Sequence, residues 1–332
     1  MNQTGNEPVA VGSEARDSLS VRPAPTGTDS MRASPRYAVN AWTTPHNSAL
    51  EDIEQIARTG GRGIGLYEGK FQPGGDQALR EAIELHGLEA TFCVPRTWTI
   101  LPVPFNTPVT ERDPRTRTEL ICESIPRLAT FGPEVIVVGP GVSGDPAEPA
   151  GPVEAVADGL ARIADVAAEH DLKIGFELLA ERRGSPLHNL PDIVMFIDDV
   201  GRDNVGVMFD IWHSWCEPDL HDRLREYTPR INSVHVNDVR VHERSNFDRE
   251  LPGDGRAVAA PIIATLIESG YEGWWELEVF SDDGTFGNDY PDSLWKLPHE
   301  LLLERAKAAF DATYAQAQRL LAESPARATP QD

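Results

Sequence analysis

The chain is poor in cysteine, short of basic residues and without any long apolar run, and each shortage removes a class of function. Its 332 residues include three cysteines, Cys93, Cys122 and Cys216, far apart and in no Cys-x-x-Cys spacing. That pattern offers neither a disulfide framework nor a thiolate zinc site, and it suits a reducing compartment. Thirty lysines and arginines against 53 aspartates and glutamates leave a formal charge of −23. Such a surface repels phosphate backbones, so no nucleic acid is expected as a partner. No stretch approaches the ~18 apolar residues that a membrane span requires, and residues 1–36 hold no apolar segment able to serve as a signal-peptide core. The expectation is a cytoplasmic protein with no membrane partner. Two nucleotide signatures are missing as well: no Gly-x-Gly-x-x-Gly sits at the first strand-to-helix turn, and there is no phosphate-cradling P-loop.

What the chain does have is a regular alternation. Short β-like runs occur at Arg36–Trp42, Gly63–Tyr67, Glu89–Val94, Glu134–Val138, Lys173–Leu178, Val205–Ile211, Ile231–Asn237 and Trp274–Phe280. Helix-like segments follow them at Ala49–Arg58, Gln77–Leu85, Arg115–Ala129, Val153–Glu169, Leu190–Val200, Pro218–Glu226, Pro261–Ser269 and Pro298–Ala322. Ser48 is placed to cap the first helix, and Gly60, Gly87, Gly201 and Gly270 are placed as helix stops. Eight βα units predict an α/β fold, a single (β/α)8 TIM barrel rather than an open doubly wound sheet. The barrel is expected over residues 36–325, after a polar, turn-rich leader over 1–35 expected to be disordered and before a flexible tail over 326–332.

Barrel active sites form at the C-terminal ends of the strands, so polar residues there carry the most weight. Side chains along a strand alternate between its two faces. In Lys173-Ile174-Gly175-Phe176-Glu177 this sends Glu177 inward at the mouth, and in Val205–Asp210 it sends Asp210 there. The seventh strand contributes His235, and the eighth puts Glu276 and Glu278 on one face with Glu278 nearer the mouth. Three carboxylates and an imidazole converging on one point repel unless a cation neutralises them. Glu177, Asp210, His235 and Glu278 are therefore candidate ligands of one divalent metal ion, with Glu276 a deeper neighbour. Oxygen-rich ligation favours Mn²⁺, with Mg²⁺, Co²⁺ or Zn²⁺ also admissible.

An ordered set of motifs goes further: Phe-Glu at 176–177, Asn-Val-Gly-Val-Met-Phe-Asp-Ile-Trp-His at 204–213, His-Val-Asn-Asp at 235–238, Leu-Pro-Gly-Asp-Gly at 251–255 and Trp-Trp-Glu-Leu-Glu-Val-Phe-Ser at 274–281. Together they resemble the sugar phosphate isomerase/epimerase family, the xylose isomerase-like TIM barrels that include ketose 3-epimerases, inosose dehydratases and endonuclease IV relatives. The resemblance runs from Tyr37 to Ala322. It implies the same four metal ligands, a catalytic pair in Glu177 and Glu278, and substrate contacts from His213 and Asp238. The implied activity is a divalent-metal-dependent isomerase or epimerase of a keto-sugar or related polyol, which removes a proton beside a carbonyl through a metal-stabilised enediolate. The alternative is a lyase on the same scaffold, either an inosose-type dehydratase or a C-glycoside-cleaving subunit acting on 3-keto-glycosides. An endonuclease IV-like repair enzyme would need further ligands and a basic groove, which the charge of −23 opposes.

Around the mouth, Trp42, Trp98, Trp212 and Trp215 follow strand ends, and Arg182, Arg183, Arg240 and Arg249 follow strands five and seven. Trp98, Trp212 and Arg240 join His213 and Asp238 as substrate-binding candidates. Asp254 can face the pocket from its turn, and Glu181 stands at an offset unlike that of some epimerases. The expected partner is a small-molecule carbohydrate, and assembly as a homo-oligomer or with a small partner subunit is left open.

Overall fold

The computed structural model describes residues 34–103, 110–142, 152–180 and 184–323. Its strands are β1 (Tyr37–Asn40), β2 (Gly63–Gly65), β3 (Glu89–Ala90), β4 (Phe92–Cys93), β5 (Val135–Val138), β6 (Lys173–Glu177), β7 (Val205–Asp210), β8 (Ile231–Val236), β9 (Asp238–Val239), β10 (Arg249–Glu250) and β11 (Trp275–Leu277). Its helices are α1 (Ala49–Arg58), α2 (Asp76–His86), α3 (Pro114–Ala129), α4 (Pro152–Ala168), α5 (Leu190–Val200), α6 (Ile211–Ser214), α7 (Leu220–Tyr227), α8 (Ala259–Glu268) and α9 (His299–Glu323). The expected leader and tail fall almost wholly outside the described residues. Among those described, no helix is long and apolar enough to cross a membrane.

Nine segments pair in the order β3, β2, β1, β11, β8, β7, β6, β5, β4, all parallel. The two ends of that order, β3 and β4, are halves of the one strand predicted over Glu89–Val94, broken at Thr91. Thr91 joins the halves across the seam: its N–H donates to the Ile64 carbonyl at 2.9 Å and its carbonyl accepts from Glu134 N at 3.0 Å. The ring thus closes over eight strand positions, as the eight βα units require.

Two layers of apolar side chains hold the ring. Inside it lie Ala38, Phe92, Val135, Val137, Met208 and Trp274. Between the ring and the helices lie the outward members of each strand, among them Ile174, Phe176, Val207, Phe209, Val234 and Val236. The alternation along β6 and β7, and along β8 from Ser233 onward, is the one that period two predicts. The helix ends also follow local chemistry. Ser48 and Glu51 form a reciprocal capping box on α1, Asp113 and Asn189 cap α3 and α5, and Gly60, Gly87, Gly201 and Gly270 all adopt positive φ at helix ends.

One irregularity matters for the site. Val207 of β7 pairs with Ile231, yet Met208 pairs with Ser233, so Asn232 is an extra residue bulged out of β8. A bulge shifts every later residue by one position and so exchanges the faces. Here it brings His235, rather than Val234, beside Asp210 on the inner face. The bulged Asn232 donates to the Ile174 carbonyl at 2.9 Å, and Gly206 leaves the space it occupies. A Cβ on Gly206 would come within 2.6 Å of Asn232 Nδ2 and 2.7 Å of its Cγ. Gly206→Ala should therefore overpack the bulge and cost roughly 1–3 kcal/mol, read as a lower urea midpoint with an unchanged m-value. An unchanged midpoint would mean that the bulge yields freely.

Candidate metal centre

Each member of the buried cluster is delivered by the end of a strand. Glu177 closes β6, Asp210 closes β7, His235 is the penultimate residue of β8, and Glu278 follows β11 directly, because that strand stops at Leu277. One potential ligand atom from each of the four lies within 4.8 Å of all the others, and all four residues are buried. His235 Nδ1 faces Glu278 Oε2 at 3.4 Å, Asp210 Oδ2 at 3.9 Å and Glu177 Oε1 at 4.0 Å. It makes no hydrogen bond although it is buried. A buried ring nitrogen left so among three carboxylates suits a cation as their common partner, and the oxygen-rich donor set fits a hard or borderline divalent ion.

The neighbours of the cluster sort its atoms. Asp210 Oδ1 accepts from Trp212 N at 2.7 Å and Asn237 Nδ2 at 2.9 Å, which leaves Oδ2 for the centre. Arg249, from β10, donates through Nη1 to Asp210 Oδ2 at 2.8 Å and Glu278 Oε2 at 2.9 Å. Its guanidinium lies 5.2 Å from the Trp212 ring centre and 4.7 Å from that of Phe280. His213 Nδ1 accepts from Ala180 N at 3.0 Å, so its Nε2 carries the proton, 4.0 Å from Glu177 Oε1.

These contacts split the two glutamates. Burial and the adjacent Glu278 charge push Glu177 up to about 8. Burial also acts to raise Glu278, but His235 and Arg249 outweigh it and hold that carboxyl at about 2. Asp210 is lowered by the same balance, with Arg249 the main cation opposing burial.

A model of the xylose isomerase-like TIM barrel matches residues 53–306. The chain belongs to that family. Similar proteins include the inosose dehydratase of Geobacillus thermodenitrificans (strain NG80-2), 26% identical over 140 residues that make up 38% of this chain and 46% of that protein. The D-psicose 3-epimerase of Agrobacterium fabrum (strain C58 / ATCC 33970) is 31% identical over 146 residues, 43% of this chain and 48% of that protein. The chain thus spans about half the length of these two relatives. Among solved structures, the IOLI protein with a bound zinc atom superposes with a TM-score of 0.68 at 19% identity, covering 85% of this chain and 99% of that one.

Within this xylose isomerase-like barrel the space above the cluster is only about 30 Å³. That holds one water, far below the roughly 300–1,000 Å³ of ordinary ligand pockets. Its floor is Glu177, His213, His235, Arg249 and Glu278, and its walls and roof are Trp42, Trp98, Val94, Val137, Phe247, Phe280 and Phe286. Phe247 and Phe286 stack with ring centres 4.2 Å apart. A sugar-sized molecule is larger than that space.

The structure distributes the expected substrate-binding residues unevenly. His213 and Trp98 line the space, whereas Asp238, Arg240 and Trp212 do not. Asp238 is occupied by the backbone of its own turn, accepting from Val239 N at 2.7 Å and Gly253 N at 2.9 Å. Arg240 is tied to Asp248 at 2.9 Å and Glu250 at 2.8 Å. Trp212 is fully buried beneath Arg249. Arg249, only one of several loop arginines in the sequence, is the cation that the fold brings in, because the β9–β10 hairpin returns the chain over the mouth. Asp254 is exposed, and Glu181, Arg182 and Arg183 lie outside the described residues.

The pH behaviour of the centre follows from Glu177. Without metal the folded chain keeps the Glu177 proton up to about 8, whereas an unfolded glutamate loses it near 4.5. Between those values the native state binds more protons than the unfolded state, so this group's stabilisation is full at low pH and is lost as pH rises through the window. In chelator, wild type should therefore lose melting temperature relative to Glu177→Gln between about pH 5 and pH 8. The stabilisation of wild type by added Mn²⁺ should grow over the same interval, since binding requires the carboxylate. A Mn²⁺ shift of equal size at both ends would contradict this account.

Proposed function

We propose that this barrel is a divalent-metal-dependent sugar isomerase or epimerase that transfers a proton at a carbon beside a carbonyl of a keto-sugar or related polyol. The observation that carries the proposal is the pair Glu177 and Glu278, set apart by β7 and β8 yet converging on one centre with Asp210 and His235. A divalent ion held by those four would bind the oxygens of an α-hydroxycarbonyl unit and supply the charge that stabilises an enediolate.

The chain's own groups do the rest. Glu177 and Glu278 can address opposite sides of one carbon, one taking the proton and the other returning it. Arg249 offers guanidinium donors beside the oxygen that gains charge, and the His213 Nε2–H reaches toward Glu177 from the adjoining wall. The aromatic walls cover the C–H faces of the substrate and exclude water from the proton being moved. Mn²⁺ is the proposed ion on the chemistry of the donors, and the zinc atom reported for IOLI keeps Zn²⁺ in the comparison.

A second reading has its own support, since the relatives include inosose dehydratases as well as D-psicose 3-epimerases. Elimination starts with the same abstraction and ends with loss of water or another leaving group from the neighbouring carbon. Incubating Mn²⁺-loaded protein with keto-sugars, inososes and 3-keto-glycosides in D₂O, with NMR detection, separates the two. Isomerase or epimerase chemistry predicts deuterium at the carbon beside the carbonyl with every substituent retained. Glu177→Gln and Glu278→Gln should each slow that exchange by about 10²–10⁴-fold. Loss of a group in place of exchange would overturn the first reading in favour of the second, and neither outcome across the panel would overturn both.

A further inference from the structure

Beneath the metal centre, Glu276 is buried with no exposed surface, paired directly with His235 across β11 and β8. It is not one of the four clustered ligands, and its carboxylate points away from the mouth into the ring. Three donors and one imidazole nitrogen surround its carboxylate. Oε1 accepts from Asn40 Nδ2 at 2.8 Å and lies 3.3 Å from His235 Nε2. Oε2 accepts from the Thr91 hydroxyl and, at 3.4 Å, from Phe92 N. Gly65 leaves the room for this carboxylate, because a Cβ there would fall 2.2 Å from Oε1.

We infer that Glu276 is a positioning residue for the metal centre: it fixes His235 with its Nε2–H directed into the ring and its Nδ1 lone pair directed at the ion. The inference rests on the metal reading of the four-residue cluster. Its logic is the donor inventory. A carboxylate oxygen is an acceptor, and an Nε2–H is the donor that suits Oε1 at 3.3 Å, which leaves the ring's lone pair on Nδ1. Nδ1 is the atom that faces Glu278, Asp210 and Glu177 and has no hydrogen-bond partner. A carboxylate behind a ligating imidazole also makes the ring a stronger donor, and loss of such a partner typically weakens metal binding about 10–100-fold.

The position of Glu276 in the ring adds a second consequence. Asn40 comes from β1 and Thr91 from the seam between β3 and β4, so the orientation of one metal ligand is tied to the point where the barrel closes. Thr91 touches only the oxygen remote from His235, which makes it the control for a merely structural role.

The test compares Mn²⁺ dissociation constants, measured by calorimetry, for wild type, Glu276→Gln and Thr91→Val, together with the visible spectrum of the Co²⁺ forms and the melting temperature of each metal-free protein. In Glu276→Gln the new amide can keep its oxygen toward Asn40 and His235 while the Thr91 hydroxyl turns to accept from its nitrogen, at the loss of the long contact from Phe92 N, and the metal-free melting temperature reports whether the fold is kept. The expected result is Mn²⁺ affinity about 10–100-fold weaker in Glu276→Gln, with an altered Co²⁺ band and a metal-free melting temperature close to wild type. Thr91→Val should shift the affinity by a few-fold at most. If wild type binds Mn²⁺ and Glu276→Gln binds it equally well, or if both variants weaken it alike, the positioning role is overturned while the metal reading stands. If wild type itself binds no divalent ion, the metal reading fails and this inference fails with it.

Discussion

Four ionisable side chains buried within 4.8 Å of one another at the end of a barrel are the constraint to which the surrounding structure answers. Three of them are carboxylates, and charge of one sign cannot be gathered in a dry site without compensation. Arg249 compensates part of it from the β10 side and is itself pressed against Trp212 and Phe280. The Glu177 proton compensates another part when no cation is present, which is why that carboxyl stands so far from Glu278 in its titration. A divalent ion would replace the proton. Asn237 and the Trp212 amide meanwhile hold Asp210 by the oxygen that does not face the centre. In the absence of a cation the three carboxylates are thus balanced by the Glu177 proton and by Arg249.

Geometry of this kind is set by backbone register more than by side-chain choice. Asp210, His235 and Glu276 form a row across β7, β8 and β11, because residues paired in a parallel sheet share a face. The row exists only because Asn232 is bulged out of β8. Without that extra residue Val234 would stand beside Asp210, and the imidazole would point to the helices. The glycines at 175 and 206 serve the same end, leaving space inside the ring for Ser233 and Asn232. Glu278 reaches the centre from just past the last paired residue of β11, where the chain is free to turn toward the mouth.

Strand alternation made much of this legible from the sequence. The eight βα units, the inward placement of Glu177, Asp210 and His235, and the choice of Glu278 over Glu276 for the mouth all follow from period two and the direction of the strands. The capping role of Ser48 and the glycine helix stops are equally local, and the structure reproduces them. What escaped was whatever depends on a partner distant in sequence. Glu89–Val94 reads as one strand, and its break at Thr91 emerges only when both neighbours must be satisfied across the seam. The Asn232 bulge is a property of β7 and β8 together. Arg240 and Arg249 look alike as loop arginines, and only the β9–β10 pairing decides that one faces Asp248 while the other enters the cluster. The stack of Phe247 on Phe286 joins two separate loops, and neither ring announces it alone.

The division between floor and roof bears on which reaction such a barrel performs. Under the proposed function, the floor with its paired glutamates, arginine and histidines serves proton abstraction at a carbon beside a carbonyl, a step common to epimerisation and elimination. A proton returned to the same carbon gives an isomer; a group lost from the next carbon gives an enone or its hydrate. The choice depends on whether the leaving bond lies parallel to the electrons released at the first carbon, and that alignment is set by how the rest of the molecule is held. Under that reading the rest of the molecule would meet Trp42, Trp98, Phe247, Phe280 and Phe286, apolar surfaces that restrain orientation through shape rather than through directed hydrogen bonds. Two members of this family could therefore share every ligand of the floor and still differ in reaction, with the apolar residues above it holding the difference.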